Sequence, residues 1–202
     1  MVAERLALIR NALALTTDEA VLEPALIHLS ALVDQLRLFH KHIGALEKQL
    51  ASLFKEHSEA YLFRDLPGAG AALKPRLLVA LGQDRTLYPD PASFQKFSGV
   101  APVIERSGSQ CWTHWRWQAP RFLRQTLIEW AGQTVVYSTW AGAYYKMMKA
   151  KGKTHHVILR ALAFKWVRIL WKCWQTRTPY DEARYLKQLA ARKSPLALKI
   201  NA

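Results

Sequence analysis

Cysteine is scarce in this chain: only Cys111 and Cys173 occur among 202 residues. They stand far apart, without a Cys-x-x-Cys pair or a paired Cys/His spacing. A disulfide or zinc framework is therefore not expected, which fits a reducing compartment. Long apolar runs are missing too. No stretch reaches the roughly eighteen apolar residues that a spanning helix needs. The amphipathic first fifteen residues carry too much charge for a signal peptide. The expectation is a soluble, cytoplasmic protein with no membrane partner. Acid is the third scarcity, and it is local. Between Arg106 and Tyr180 the only carboxylate side chain is Glu129, against thirteen Lys and Arg.

What is present answers to these absences. Half the residues are hydrophobic, enough to build a core. The formal net charge is +14 and is unevenly placed. Residues 1–60 hold six Lys/Arg and eight Asp/Glu, whereas residues 61–202 hold 23 and seven. A basic half of this kind favours a polyanionic partner, either nucleic acid or an acidic surface, and nucleic acid is preferred for so one-sided a stretch.

The periodicity is helical almost throughout. A short helix is expected over residues 3–15, and a second opening at Glu23-Pro24. From there Leu22, Ala25, Leu29, Leu32, Leu36, Phe39, Ile43, Leu46, Leu50 and Leu53 alternate by three and four. This heptad seam predicts a coiled coil between protomers, with packing on the chain's own core as the other reading. Asp18, Glu19 and Glu23 suit a helix start better than a metal cluster. The fold expected is mainly α: a helical hairpin or coiled-coil arm over residues 1–60, then a compact basic helical domain over 61–202.

Residues 65–82 place a tight Gly68-Ala-Gly70 turn before an apolar helix, the pattern of a helix-hairpin-helix motif. Such a turn lets backbone N–H groups approach a DNA phosphate, with Lys74 and Arg76 near enough to add charge; a plain helix connection is the alternative. A loop and a short helix over 91–97 follow, then a brief extended piece at 100–104 and a non-helical stretch to Pro120. Helices resume over 121–137, 141–150, 154–176 and 179–192, with Lys151-Gly152-Lys153 as a break. All eight tryptophans lie between residues 112 and 174. Phe164, Trp166, Leu170 and Trp174 have helical spacing and read as core. Trp112, Trp115 and Trp117 alternate along a basic segment, where they either pack plainly or stack on bases and support an arginine.

From about Leu62 onward the chain resembles the C-terminal domain of the insertion-sequence-110-type transposases, a group that includes the Piv-like DNA recombinases. The resemblance rests on Leu66-Pro-Gly-Ala-Gly70, Ala80-Leu-Gly-Gln-Asp84, Phe97-Ser-Gly-Val-Ala-Pro102, Arg106-Ser-Gly108, Arg121-Phe-Leu-Arg124, Tyr144-Tyr145, Lys151-Gly-Lys153 and Arg177-Thr-Pro-Tyr-Asp-Glu182, in family order. It implies a role in DNA transposition, with a serine that attacks a DNA phosphodiester. The matching serine is Ser107, with Ser109 as the alternative. Gly68, Gly70, Lys74, Arg76, Arg106, Arg116, Arg121, Arg124, Lys151 and Lys153 are the candidate DNA contacts. His114 is a candidate proton acceptor, although a structural histidine is the preferred reading. The resemblance also implies a guide RNA as a second partner. The family's RNase-H-like domain, with its divalent-metal (Mg) site, has no match in residues 1–60. The expectation is therefore a chain without its own metal site or cofactor, which binds nucleic acid but does not recombine it alone. An inactive nucleic-acid-binding module and a coiled-coil oligomerisation protein are the competing readings.

Overall fold

A computed structural model of the chain describes residues 2–200. The described residues are mainly helical, with ten α-helices and one two-stranded sheet. They divide into two units, one running to Lys48 and the other beginning at Gln49.

The first unit contains α1 (Val2–Arg10) and most of α2 (Glu19–Glu56). Helix α1 is shorter than the periodicity implied, and α2 starts earlier than Glu23-Pro24. The reason is a cap: the Asp18 carboxylate accepts the Ala20 N–H at 2.9 Å, and the Asp18 carbonyl accepts from Val21 and Leu22. Pro24 consequently sits inside the helix, at its sixth residue. The seam residues Leu22, Leu29, Leu32, Leu36, Phe39, Ile43, Leu46, Leu50 and Leu53 are all exposed, and α2 buries no residue.

The second unit carries the core. It comprises α3 (Tyr61–Arg64), α4 (Leu73–Leu81), α5 (Pro91–Phe97), strands β1 (Val103–Ser107) and β2 (Gln110–His114), α6 (Arg121–Tyr137), α7 (Thr139–Ala150), α8 (His155–Gln175), α9 (Glu182–Ala191) and α10 (Pro195–Ile200). Helix α6 packs on α4, α7 and α8, and α5 packs on α8. Where these helices meet, Trp130, Trp140 and Trp166 are fully buried, with ring centroids 4.8 Å apart for Trp130–Trp166 and 4.7 Å for Trp140–Trp166. Buried indole N–H groups need acceptors. Trp130 donates to the Pro67 carbonyl, Trp140 to the Tyr180 hydroxyl and Trp166 to the Thr134 hydroxyl. Trp174 and Leu170 are buried as their spacing implied, while Phe164 is half-buried.

The breaks between helices have local causes. Asp90 caps α5 by accepting the Ser93 N–H at 2.8 Å and the Ser93 hydroxyl at 2.6 Å. Gly152, at φ 75°, ends α7 between the two lysines. Glu182 accepts the Thr139 N–H at 2.7 Å and the Ser138 hydroxyl at 3.0 Å, so a remote carboxylate neutralises the start of α7.

Candidate nucleic-acid interface

The stretch after Val100 is more ordered than its sequence implied. It folds into an antiparallel hairpin in which Val103 pairs with His114, Glu105 with Trp112, Arg106 with Cys111 and Ser107 with Gln110. Gly108 and Ser109 form the two-residue loop, with Gly108 at φ 57°. A two-residue Gly-Ser connection is a hairpin signal, and it was the cue in the sequence that a non-helical reading passes over.

Ser107 ends β1 at this turn, and both Ser107 and Ser109 are exposed. Alternation along the strands puts Val103, Glu105 and Ser107 on the face of Gln110, Trp112 and His114, and turns Arg106 to the other face with Cys111. His114 is therefore four pairs from Ser107, about 13 Å along the strand. Its Nε2 lies 3.2 Å from the Glu105 carboxylate. It is held as a cross-strand partner and is out of reach of the Ser107 proton, which corrects the proton-acceptor reading and agrees with the structural one.

The chain leaving β2 lines an open groove of about 400 Å³ formed by Val103, Glu105, His114, Trp115, Arg116, Trp117 and Gln118. Trp112, Trp115 and Trp117 are exposed, against the plain-packing reading; Trp117 is 89% exposed. Two guanidinium groups rest near Trp115: Arg160 from α8 at 4.2 Å from the ring centroid and Arg124 from α6 at 5.3 Å. Arg124 also donates to the Arg116 carbonyl at 3.0 Å, and the Arg116 Nε is enclosed without a hydrogen-bond partner. Burial lowers the pKa of Arg160 below the usual guanidinium value, although the group remains charged at neutral pH. None of these three arginines has a carboxylate partner among the described residues.

Beside this groove lies a second of about 340 Å³, lined by Arg121, Arg124, Gln125, Ile128 and Glu129. Here the lone acid of the basic stretch is in use. Glu129 accepts hydrogen bonds from Gln125 and from Arg76; the Gln125 bond foremost, opposed by burial and aided by Arg76, holds its carboxyl below the usual range. Arg76 also lies over the Phe122 ring, at 5.8 Å.

The remaining candidates are scattered. Gly68, at φ 68°, faces α6, where an added Cβ would come within 2.8 Å of the Gln133 Cβ and 2.9 Å of its carbonyl carbon. Its lack of a side chain serves helix packing. Gly70 is exposed, with nothing within 4 Å of where a Cβ would be. Lys74 is half-buried on α4, and Lys151 and Lys153 are exposed at the α7–α8 turn. The structure thus brings Arg116, Arg121 and Arg124 together and adds Arg160. Sequence reasoning did not single out Arg160, because its contact with Trp115 spans 45 positions and leaves no local signal.

Among the described residues, no three His, Cys, Asp or Glu side chains converge to hold a metal ion, and no helix is long and apolar enough to cross a membrane.

Comparison with known proteins covers this region. Residues 60–146 match the model of a family described as "Transposase IS116/IS110/IS902 family". The match includes the Gly68 turn, the hairpin and both grooves, apart from Arg160. Over 156 residues the chain is 29% identical to a Streptomyces coelicolor protein named "Mini-circle putative transposase for IS117", covering 77% of this chain and 38% of that protein. It is 28% identical over 152 residues to the "Insertion element IS110 uncharacterized 43.6 kDa protein" of the same organism, covering 75% and 37%. A Streptomyces clavuligerus protein, "Insertion element IS116 uncharacterized 44.8 kDa protein", is 24% identical over 160 residues, covering 79% and 40%. The matched part thus spans two fifths or less of each of these relatives. Over residues 60–146 the chain is similar to the IS116/IS110/IS902 transposase family.

Proposed function

We propose that this chain is the serine-bearing, DNA-binding half of a transposase, which acts on DNA phosphodiesters through Ser107. The observation that carries the reading is the position of Ser107. Within the family-matched stretch, it lies exposed at a hairpin turn whose base adjoins an uncompensated arginine cluster. In the proposed step the Ser107 Oγ bonds to phosphorus as the hydroxyl gives up its proton. One strand oxygen leaves the phosphorus and takes up a proton, and the strand end stays esterified to the serine. A neutral hydroxyl is a weak nucleophile, so arginines must stabilise the charge that builds on the phosphoryl oxygens. Arg106 is the nearest along the chain, while Arg116, beyond the far end of the hairpin, is placed for the flanking strand. Ser109, across the turn, is the alternative nucleophile.

Among the described residues no cluster of His, Cys, Asp or Glu fits a divalent-metal site. We place the Mg site on a separate acidic RNase-H-like domain, and take this chain alone to bind DNA without recombining it. The Gly68–Gly70 turn with Lys74, and Lys151 and Lys153, are proposed as backbone contacts, and a guide RNA as a second polyanionic ligand. The exposed seam over residues 22–53 supports homo-oligomerisation by a coiled coil.

The test is a denaturing gel of the chain, supplied with the acidic domain, Mg and end-labelled donor DNA. A label that migrates with the protein, lost in Ser107→Ala and kept in Ser109→Ala, supports the reading. An adduct that survives Ser107→Ala overturns it. Recombinant product from the purified chain alone overturns the need for a second domain.

A further inference from the structure

The groove at the base of the hairpin has features that binding to a duplex backbone does not require. Phosphate contacts need charge, and Arg116, Arg121 and Arg124 supply it. They do not need an indole that is 89% exposed, yet Trp117 presents one in the groove that Arg116 and Trp115 also line. Trp115 has a different part. Its ring is where Arg124 and Arg160 rest, at 5.3 and 4.2 Å, so the two guanidinium groups are held in place before any ligand arrives. The only carboxylate on the groove wall, Glu105, is engaged by His114 at 3.2 Å. The result is a free aromatic face in a groove of about 400 Å³, whose Trp115 wall carries two arginines that no carboxylate pairs. That volume falls within the range of small-ligand pockets.

We propose that this groove is a subsite for an unpaired nucleotide of DNA: its base stacks on Trp117, and its flanking phosphates are held by Arg124 and Arg160. Bases inside a duplex are stacked on each other and offer no face to an indole, so the site selects opened strand. Its place in the fold fits this. Ser107 and His114 lie about 13 Å apart along the hairpin, and Trp115 follows His114 directly. That distance is about four nucleotides at the ~3.4 Å rise of a stacked strand. The subsite would hold a strand opened within a few nucleotides of the phosphodiester that Ser107 attacks. This inference rests on the DNA-acting reading above.

The experiment is fluorescence anisotropy of the full chain with labelled 20-nucleotide probes of one sequence, as single-stranded DNA, duplex DNA and single-stranded RNA. Trp117 is exposed, so Trp117→Ala and Trp117→Phe do not disturb the core. Trp117→Ala is expected to weaken single-stranded DNA binding by about fivefold to a hundredfold, the worth of one stacked base. Duplex affinity should stay within about twofold, and Trp117→Phe should restore most of the loss, since a phenyl ring still stacks. An equal loss on duplex, no loss on single strands, or failure of Trp117→Phe to rescue overturns the subsite. An effect confined to RNA overturns its assignment to DNA. Failure of the unaltered chain to bind any probe defeats the DNA-acting reading itself, which sets that failure apart from the failure of the subsite.

Discussion

Arg85 joins Glu59 to the last turn of α8. Its Nη2 donates to the Glu59 carboxylate at 2.6 Å, its Nε donates to the Trp174 carbonyl at 2.9 Å, and its guanidinium lies 5.0 Å from the Trp174 ring centroid. Both side chains of the ion pair are only 17% exposed, so removing one partner leaves a poorly solvated charge. Arg85→Ala should cost about 2–3 kcal/mol in urea unfolding, some of it from the stranded Glu59. The exposed Asp34–Arg37 pair is the contrast, and Arg37→Ala should cost less than about 0.5 kcal/mol. Equal effects from the two substitutions would show that the Arg85 bridge is merely a surface contact.

The two glycines of the early turn should respond oppositely to alanine. Gly68 has φ 68° and faces the Gln133 backbone, so a Cβ there meets both strain and collision. Gly68→Ala should destabilise the chain by about 2–4 kcal/mol through displacement of α6. Gly70→Ala meets nothing within 4 Å and should be close to neutral for stability. A matched pair of thermal melts decides the point. If Gly70 contacts a phosphate through its backbone, its alanine variant should lose DNA affinity without losing stability.

That pair also shows where the sequence was legible. Both glycines read as one DNA-binding turn, since the local pattern carries no information about α6, which passes behind Gly68. Helix α6 itself was readable to its last residue, because it runs uninterrupted from Arg121 to the Ser138 break. Asp18 was recognisable as a capping acid, but Pro24 drew the expected start to Glu23, four residues too late. The hairpin was hidden because β1 and β2 are almost wholly exposed, so no apolar alternation marks them. Side-chain contacts between separate elements are the least legible feature: neither Arg160 beside Trp115 nor Arg76 on Glu129 leaves a trace in local spacing. Ser107 was singled out through resemblance alone, and its placement at a turn, far from His114, required the fold.

Glu129 should act as a brake on DNA affinity. It is the sole acid between Arg106 and Tyr180, and it binds Arg76 while lining the groove of Arg121 and Arg124. Glu129→Gln keeps the shape and the Gln125 contact but removes the negative charge and releases Arg76. DNA affinity at low salt should rise several-fold. The slope of log affinity against log salt should steepen by about 0.9 if Arg76 gains one phosphate contact. An unchanged slope would mean that Arg76 does not reach the backbone. A fall in affinity would mean that Glu129 orders the groove rather than opposing it.

The two cysteines should separate cleanly in thiol chemistry. Cys111 is exposed on β2, whereas Cys173 is half-buried on α8 against the core, and its partial burial pushes its thiol pKa up to about 11. The thiolate is the reacting species, so at pH 8 a disulfide reagent should label one thiol per native chain quickly and the second only on unfolding. The raised folded pKa also sets a sign for stability. Below the ordinary thiol value of 9.0 Cys173 is neutral in both states, and its contribution is fully present. As pH rises from there toward about 11, the unfolded chain ionises more readily than the folded one, and stability falls. Cys173→Ala should lower stability at pH 7 through the lost packing, yet flatten the alkaline decline. An equally steep decline in Cys173→Ala would assign the alkaline loss to other groups, with the buried Tyr180 hydroxyl as the first to examine, since burial raises its pKa as well.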